Sequence, residues 1–186
     1  MNTLKKFAAL IDELNALILR LTAWLTIFMV LVQFFVVIMR YAFGTGSVQL
    51  QESIIYMHGV LFMMAAAGTL LADAHVRVDI FYRQLTDRKK AWINLLGTFL
   101  FLLPFCFLII YTAWDYVANS WQTLEGSRET SGIQAVYLLK TIIPLAALLV
   151  GLQGCSQAIK AFILLRPPTS TAQKQANPTQ ATQRDR

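Results

Sequence analysis

Residues 21–39 read LTAWLTIFMVLVQFFVVIM, nineteen positions without a charged side chain. At ~1.5 Å rise per residue, crossing ~30 Å of hydrocarbon takes about 20 helical residues, so this stretch predicts a membrane-spanning helix. Residues 53–72, 91–114 and 141–159 are equally free of charge, although the chain holds 16 Lys and Arg and 10 Asp and Glu. With 56% hydrophobic and 14% charged residues over 186 positions, the composition excludes an ordinary soluble domain. It predicts an all-α membrane protein with four transmembrane helices. Pro104 and Pro144 fall inside the third and fourth spans, where they are expected to kink the helices without breaking them.

The basic residues orient these spans. Thirteen of the Lys and Arg precede the first span, lie between the second and third, or follow the fourth, whereas Arg40, Arg128 and Lys140 fall on the other side. By the positive-inside rule, both termini and the second loop of this multi-pass protein are expected in the cytoplasm. The same count accounts for most of the net charge of +6, so no nucleic-acid partner is expected. Aromatic residues mark the edges: Trp24 and Trp92 on the inner side, Tyr41, Tyr111, Trp114, Tyr116 and Tyr137 on the outer. Counting residues along the spans puts Cys106 and Cys155 roughly 16 Å apart in depth, which predicts free thiols and no disulfide.

The two ends have their own patterns. Leu4, Phe7, Ile11, Leu14, Ile18 and Leu21 recur at steps of three and four, predicting an amphipathic helix over 1–20 that lies in the membrane interface or packs on a partner. Asp12 and Glu13 interrupt the apolar core that a cleavable signal would need, so the first span is expected to be an uncleaved anchor. Residues 166–186 contain no Leu, Ile, Val, Phe, Tyr or Trp and are expected to form a disordered cytoplasmic tail. The four-helix membrane domain then occupies 21–163.

Function classes narrow with the spans. A carrier acting alone usually keeps ionisable groups at depth, whereas here His58 is the one titratable imidazole within a span and Gln33 the strongly polar side chain near mid-membrane. A four-span drug exporter would carry an acid well inside its first helix, but Glu52 sits at the edge of the second. A membrane cytochrome needs two histidines facing one iron, and His58 and His75 stand at opposite ends of the second span. No inverted pair of broken spans marks a substrate site. Small residues are more telling, because close backbone approach drives helix association in lipid. Gly68 and Ala72, after Ala65, Ala66 and Ala67, form one narrow face, and Ala147, Gly151 and Cys155 another; each suits packing within the chain or docking on another membrane subunit. In the inner loop Asp73 and Arg77, and Asp79 and Arg83, stand four apart, a helical ion-pair spacing. Together with His75 they predict a structural cap rather than a metal site, with Thr86 as N-cap of the third helix.

Arg40 closes the first span, Glu52 opens a Gly/Ala-rich second span, and His75-Val76-Arg77-Val78-Asp79 follows it directly. Thr130-Ser131-Gly132-Ile133 then precedes Ile143-Pro144. In this order the chain resembles, over about 21–163, the small integral membrane subunit of tripartite ATP-independent periplasmic (TRAP) transporters. The His-Val-Arg-Val-Asp run is the most specific element, and its wording is similar to the branch labelled for mannitol or chloroaromatic compounds. Val48-Gln49-Leu50-Gln51 stands where members commonly carry a Trp, and Gln134 where a proline often follows Ser-Gly-Ile.

The resemblance implies a scaffold subunit without enzymatic activity. Its expected partners are a large TRAP permease subunit and a periplasmic solute-binding protein, within membrane lipid. Sodium ions are expected in the large subunit, with no cofactor or metal here. The implied task is to support an elevator-type permease in sodium-coupled uptake of an organic acid. Arg40 and Glu52 would then fix helix ends or meet the permease at the outer rim, and His75, Arg77 and Asp79 would hold the inner loop. Ser131 and Gly132 would shape a turn beneath the docked binding protein, while Gly68, Ala72, Pro144, Ala147 and Gly151 would serve helix packing or the subunit interface. The alternatives are a stand-alone structural membrane protein or assembly factor, and a membrane cytochrome anchor.

Overall fold

A computed structural model describes residues 2–75, 82 and 84–166. Four long helices carry the predicted spans: α1 (Asn2–Ala42), α2 (Val48–Leu71), α3 (Asp87–Gln122) and α4 (Val136–Leu165), each long and apolar enough to cross a membrane. All four spans fall within these helices, save that Ala72 is the C-cap of α2 rather than its last turn. Arg77 and Asp79, the partner positions of both loop ion pairs, and the tail beyond Arg166 lie outside the described residues. The described part of the amphipathic segment, residues 2–20, and the first span form one unbroken helix of 41 residues, roughly 60 Å long and about twice the hydrocarbon thickness.

Local chemistry sets the helix ends. Ser47, in extended conformation, accepts a hydrogen bond from the Leu50 N–H at 3.4 Å and opens α2. The helix closes with Asp73 in the left-handed region at φ 55°, one of the few side chains tolerated there, while the Ala74 N–H donates back to the Thr69 carbonyl. Gln157 of α4 reaches across to the Leu70 carbonyl at 2.7 Å, adding an interhelical bond to the one that this carbonyl accepts from the Asp73 N–H. Thr86 takes the N-cap conformation of α3 as predicted, but its hydroxyl makes no capping bond.

Neither proline breaks its helix. Pro144 lies within a continuous α4. Pro104 has no N–H and its ring would collide with the carbonyl four residues back. The chain answers with a π-helical turn at Thr98–Leu102, in which the Leu103 N–H bonds the Thr98 carbonyl.

Helix α4 is the hub. It buries nine residues, against five on α1 and two on α2, and α1, α2 and α3 all pack on it, while α1 also packs on α2. Ala146, Ala147, Gly151, Gly154, Ala158 and Ala161 let three helices close on α4 together. Bulky side chains point the other way: Phe34, Phe62, Phe101 and Phe107 are all exposed on the bundle surface. The predicted stripe on residues 1–21 follows the same logic, with Leu4, Phe7, Leu14 and Leu21 outward and only Ile11 buried.

Both small-residue faces are used inside the chain. A Cβ on Gly68 would sit 2.6 Å from the Cβ of Leu19, so α1 and α2 can approach this closely only over glycine; a Cβ on Gly151 would meet Cys106 at an ordinary 3.6 Å. Gly154, which the spacing argument passed over, packs on the π turn against Thr98 and Leu102. Cys106 and Cys155 are free thiols as expected, but the depth estimate behind that expectation was too large. Cys106 abuts Gly151, one helical turn from Cys155, so the inner span ends counted at residues 91 and 159 do not lie level with each other.

Candidate functional site

The side-chain hydrogen bonds that tie one helix or connection to another gather, among the described residues, toward the two opposite ends of the bundle. At the end bearing the α1–α2 turn, Glu52 in the second turn of α2 holds the long segment between α3 and α4. Its Oε2 accepts from the Ile133 N–H at 2.6 Å and its Oε1 from the Ser127 hydroxyl, while the Tyr56 hydroxyl donates to the Ile133 carbonyl at 3.4 Å. Gly132 is buried at this junction, where a Cβ would lie 2.7 Å from Glu52 Oε1 and would also strike Ser127. Glycine is therefore demanded here by close approach. Two residues singled out far apart in sequence, Glu52 and Gly132, meet; Ser131 beside them is exposed, as is Arg40 in the last turn of α1.

A second clasp closes the base of the same segment. Glu125 takes the Ser120 hydroxyl at 2.7 Å and the Lys140 ammonium on Oε2, and its backbone carbonyl accepts from the Val136 N–H at 3.1 Å. Lys140 also lies 3.9 Å from the centroid of the Tyr116 ring, a cation–π contact. Trp121 donates to the Thr141 hydroxyl at 2.8 Å and packs edge-on against Tyr137. The Lys140 bond, then the Ser120 bond, hold the Glu125 carboxyl below its ordinary range.

At the opposite end a polar seam joins α1 to α4. Asn15 donates to Gln153 Oε1 at 2.7 Å, Gln153 donates to Asp12 Oδ1 at 3.0 Å, and Lys160 pairs with Asp12 Oδ2. Ser156 Oγ lies 2.7 Å from Asp12 Oδ1 and 3.2 Å from the Ala8 carbonyl. Gln153, Ser156 and Asn15 are almost wholly buried, where an unmet polar group is costly; among the described residues Asn15 Oδ1 alone of these buried side-chain atoms has no partner. The sequence reading missed this set. Its signal was present as polar pairs three apart at matching ends of two helices, Asp12 with Asn15 and Gln153 with Ser156.

Between α2 and α3, which scarcely touch, an apolar groove of about 490 Å³ opens beside α4. Ala66, Thr69, Cys106 and Ala147 line it along with His58 and His75. His58 is exposed and stacks on Phe62. Pro144 is half-buried, and Ala147 and Gly151 are buried on the hub helix, whereas Ala72 and His75 are exposed at the end of α2. Among the described residues, no three His, Cys, Asp or Glu side chains converge. The chemistry on display is hydrogen bonding and ion pairing that fix helices and one long connection in place.

The sequence model of the family described as tripartite ATP-independent periplasmic transporters, DctQ component, matches residues 29–163. That range takes in every helix from the middle of α1 to nearly the end of α4, including Glu52, Gly132 and the Glu125–Lys140 clasp. No curated protein matches the chain.

Proposed function

Because the chain belongs to the DctQ family of TRAP transporter components, we propose that this small membrane subunit braces a large, elevator-type permease. The permease would take up an organic acid with sodium ions after a periplasmic binding protein delivers it. The family is a transporter component, not an enzyme family, and we read the chain as non-enzymatic, without a cofactor of its own. Four charge-free spans suit a bundle that stays still while a partner moves solute. Its place is the inner membrane, with both termini and the loop after α2 in the cytoplasm, as the Lys and Arg distribution directs.

The observation that carries this reading is where the interior polar groups are spent. Gln153, Ser156, Asp12 and Lys160 lock α1 to α4, and Glu52 and Glu125 lock the α3–α4 connection to α2 and to α4. Such a network holds the four helices and the α3–α4 connection together as one rigid unit, as a static support requires. Arg40, Ser131 and His75, exposed at the two ends, are then free to meet the permease or the docked binding protein. The test is copurification with a tagged copy of the adjacent large permease, followed by uptake in cells lacking this subunit. The reading expects a stable complex and loss of uptake; a permease that neither binds this chain nor depends on it would overturn it.

A further inference from the structure

Gln33 is the sole strongly polar side chain on α1 between Thr26 and Arg40. Seven residues from Arg40, at ~1.5 Å each, put it roughly 10 Å inside the end of the span, within the ~30 Å hydrocarbon layer. Gln33 is exposed on the helix surface, and among the described residues its amide has no hydrogen-bond partner. Contrast Gln153 and Gln157, whose amides both bond across helices. A primary amide offers two donors and an acceptor, and acyl chains supply neither.

The surroundings are shaped for a helix. Thr26, Val30, Gln33 and Val37 follow at steps of four, three and four, and with Ile54 of α2 they border an open groove of about 510 Å³. Thr26 to Gln33 and Val30 to Val37 are seven-residue repeats, the spacing at which the side chains of a crossing helix interlock. We propose that this groove receives a transmembrane helix of the large permease, with Gln33 hydrogen-bonded to a polar side chain or an open backbone group on that helix. The proposal rests on the reading of this chain as the permease's small subunit, and assigns the face by which it is held. Lipid would fill the groove but leave the amide unmet in the layer where that is most costly. A second copy of the chain, related by a twofold axis, would set Gln33 against Gln33.

The test uses the assembled complex in native membranes. A photo-crosslinking benzoylphenylalanine replaces Gln33 in one version and Phe101, exposed on α3, in another. Irradiation should join position 33 to the permease and position 101 far less. Linkage of position 33 to a second copy of this chain, linkage only to lipid, or permease linkage from position 101 but not 33 would each overturn the inference. In parallel, Gln33→Leu should leave the subunit folded and weaken permease retention roughly threefold or more, the size of one interhelical hydrogen bond in a bilayer. Gln33→Asn should restore part of it, and full retention by Gln33→Leu would count against the bond. If the unsubstituted subunit captures no permease, both readings fall; if it captures permease without a crosslink from 33, this one alone fails.

Discussion

Gly68 and Gly151 are both small residues on membrane helices, yet an added methyl group meets very different neighbours. At Gly68 it strikes Leu19 at the Cβ, which only a shift of α1 itself could relieve, whereas at Gly151 it makes ordinary contact with Cys106. Gly68→Ala should therefore destabilise the bundle by about 1–3 kcal/mol, the usual cost of overpacking. Gly151→Ala should be neutral or stabilising by up to about 1 kcal/mol, because alanine favours the helix. Thermal unfolding of the two variants in one detergent checks the order, and equal losses would contradict the packing described. Small residues on α2 and α4 were legible as packing faces in the sequence. Which of them touch backbone-near atoms was not, since that depends on the offset between helices, the same quantity that misplaced Cys106 relative to Cys155. Glu52 was legible as a rim residue through its resemblance, but its partners Ser127 and Ile133 lie some 75 to 81 positions away, beyond any periodicity argument.

The connection between α3 and α4 behaves as an element in its own right, tied to α2 through Glu52 and to α4 through Glu125. Glu52→Ala removes charge-assisted bonds from Ile133 and Ser127, and the expected loss is about 1.5–3 kcal/mol. Limited proteolysis within 126–134 should accelerate first; cleavage unchanged from the parent chain would contradict the clasp. The Glu125 tie gives a pH signature. Lys140 and Ser120 depress the Glu125 carboxyl below its ordinary range, so its contribution is fully present above that range and disappears as pH falls through the lowered value. Amide protection in the segment, taken relative to the intrinsic exchange rate at each pH, should hold steady from neutral pH into the ordinary carboxylate range and fall only in stronger acid, with Glu125→Gln flattening the acid limb. Loosening as pH rises toward 8 would be the wrong sign. Helix existence and number followed directly from charge-free stretches of span length. The π turn before Pro104 and the α1–α4 polar seam did not, because each depends on what a neighbouring helix places opposite.

For the whole molecule, the exterior is built largely of Phe, Leu, Ile and Trp and the interior largely of Ala, Gly and polar groups that are paired except at Asn15 Oδ1. That arrangement answers the solvent: lipid accepts bulky apolar side chains as readily as a core does, so close approach and hydrogen bonding, not apolar burial, decide what goes inside. Such a bundle can be rigid without being self-sufficient, and Gln33 marks a face on which it is not. The fold class and family were readable from the chain alone, whereas its internal ties required the assembled helices. Reconstitution into proteoliposomes is the most direct test of a bracing role. With a sodium gradient and loaded binding protein, vesicles holding the permease and this subunit should accumulate the organic acid that the intact system accumulates, and vesicles holding this subunit alone should not. Sodium-driven accumulation by vesicles containing only this chain would contradict the claim that it supports a carrier instead of being one.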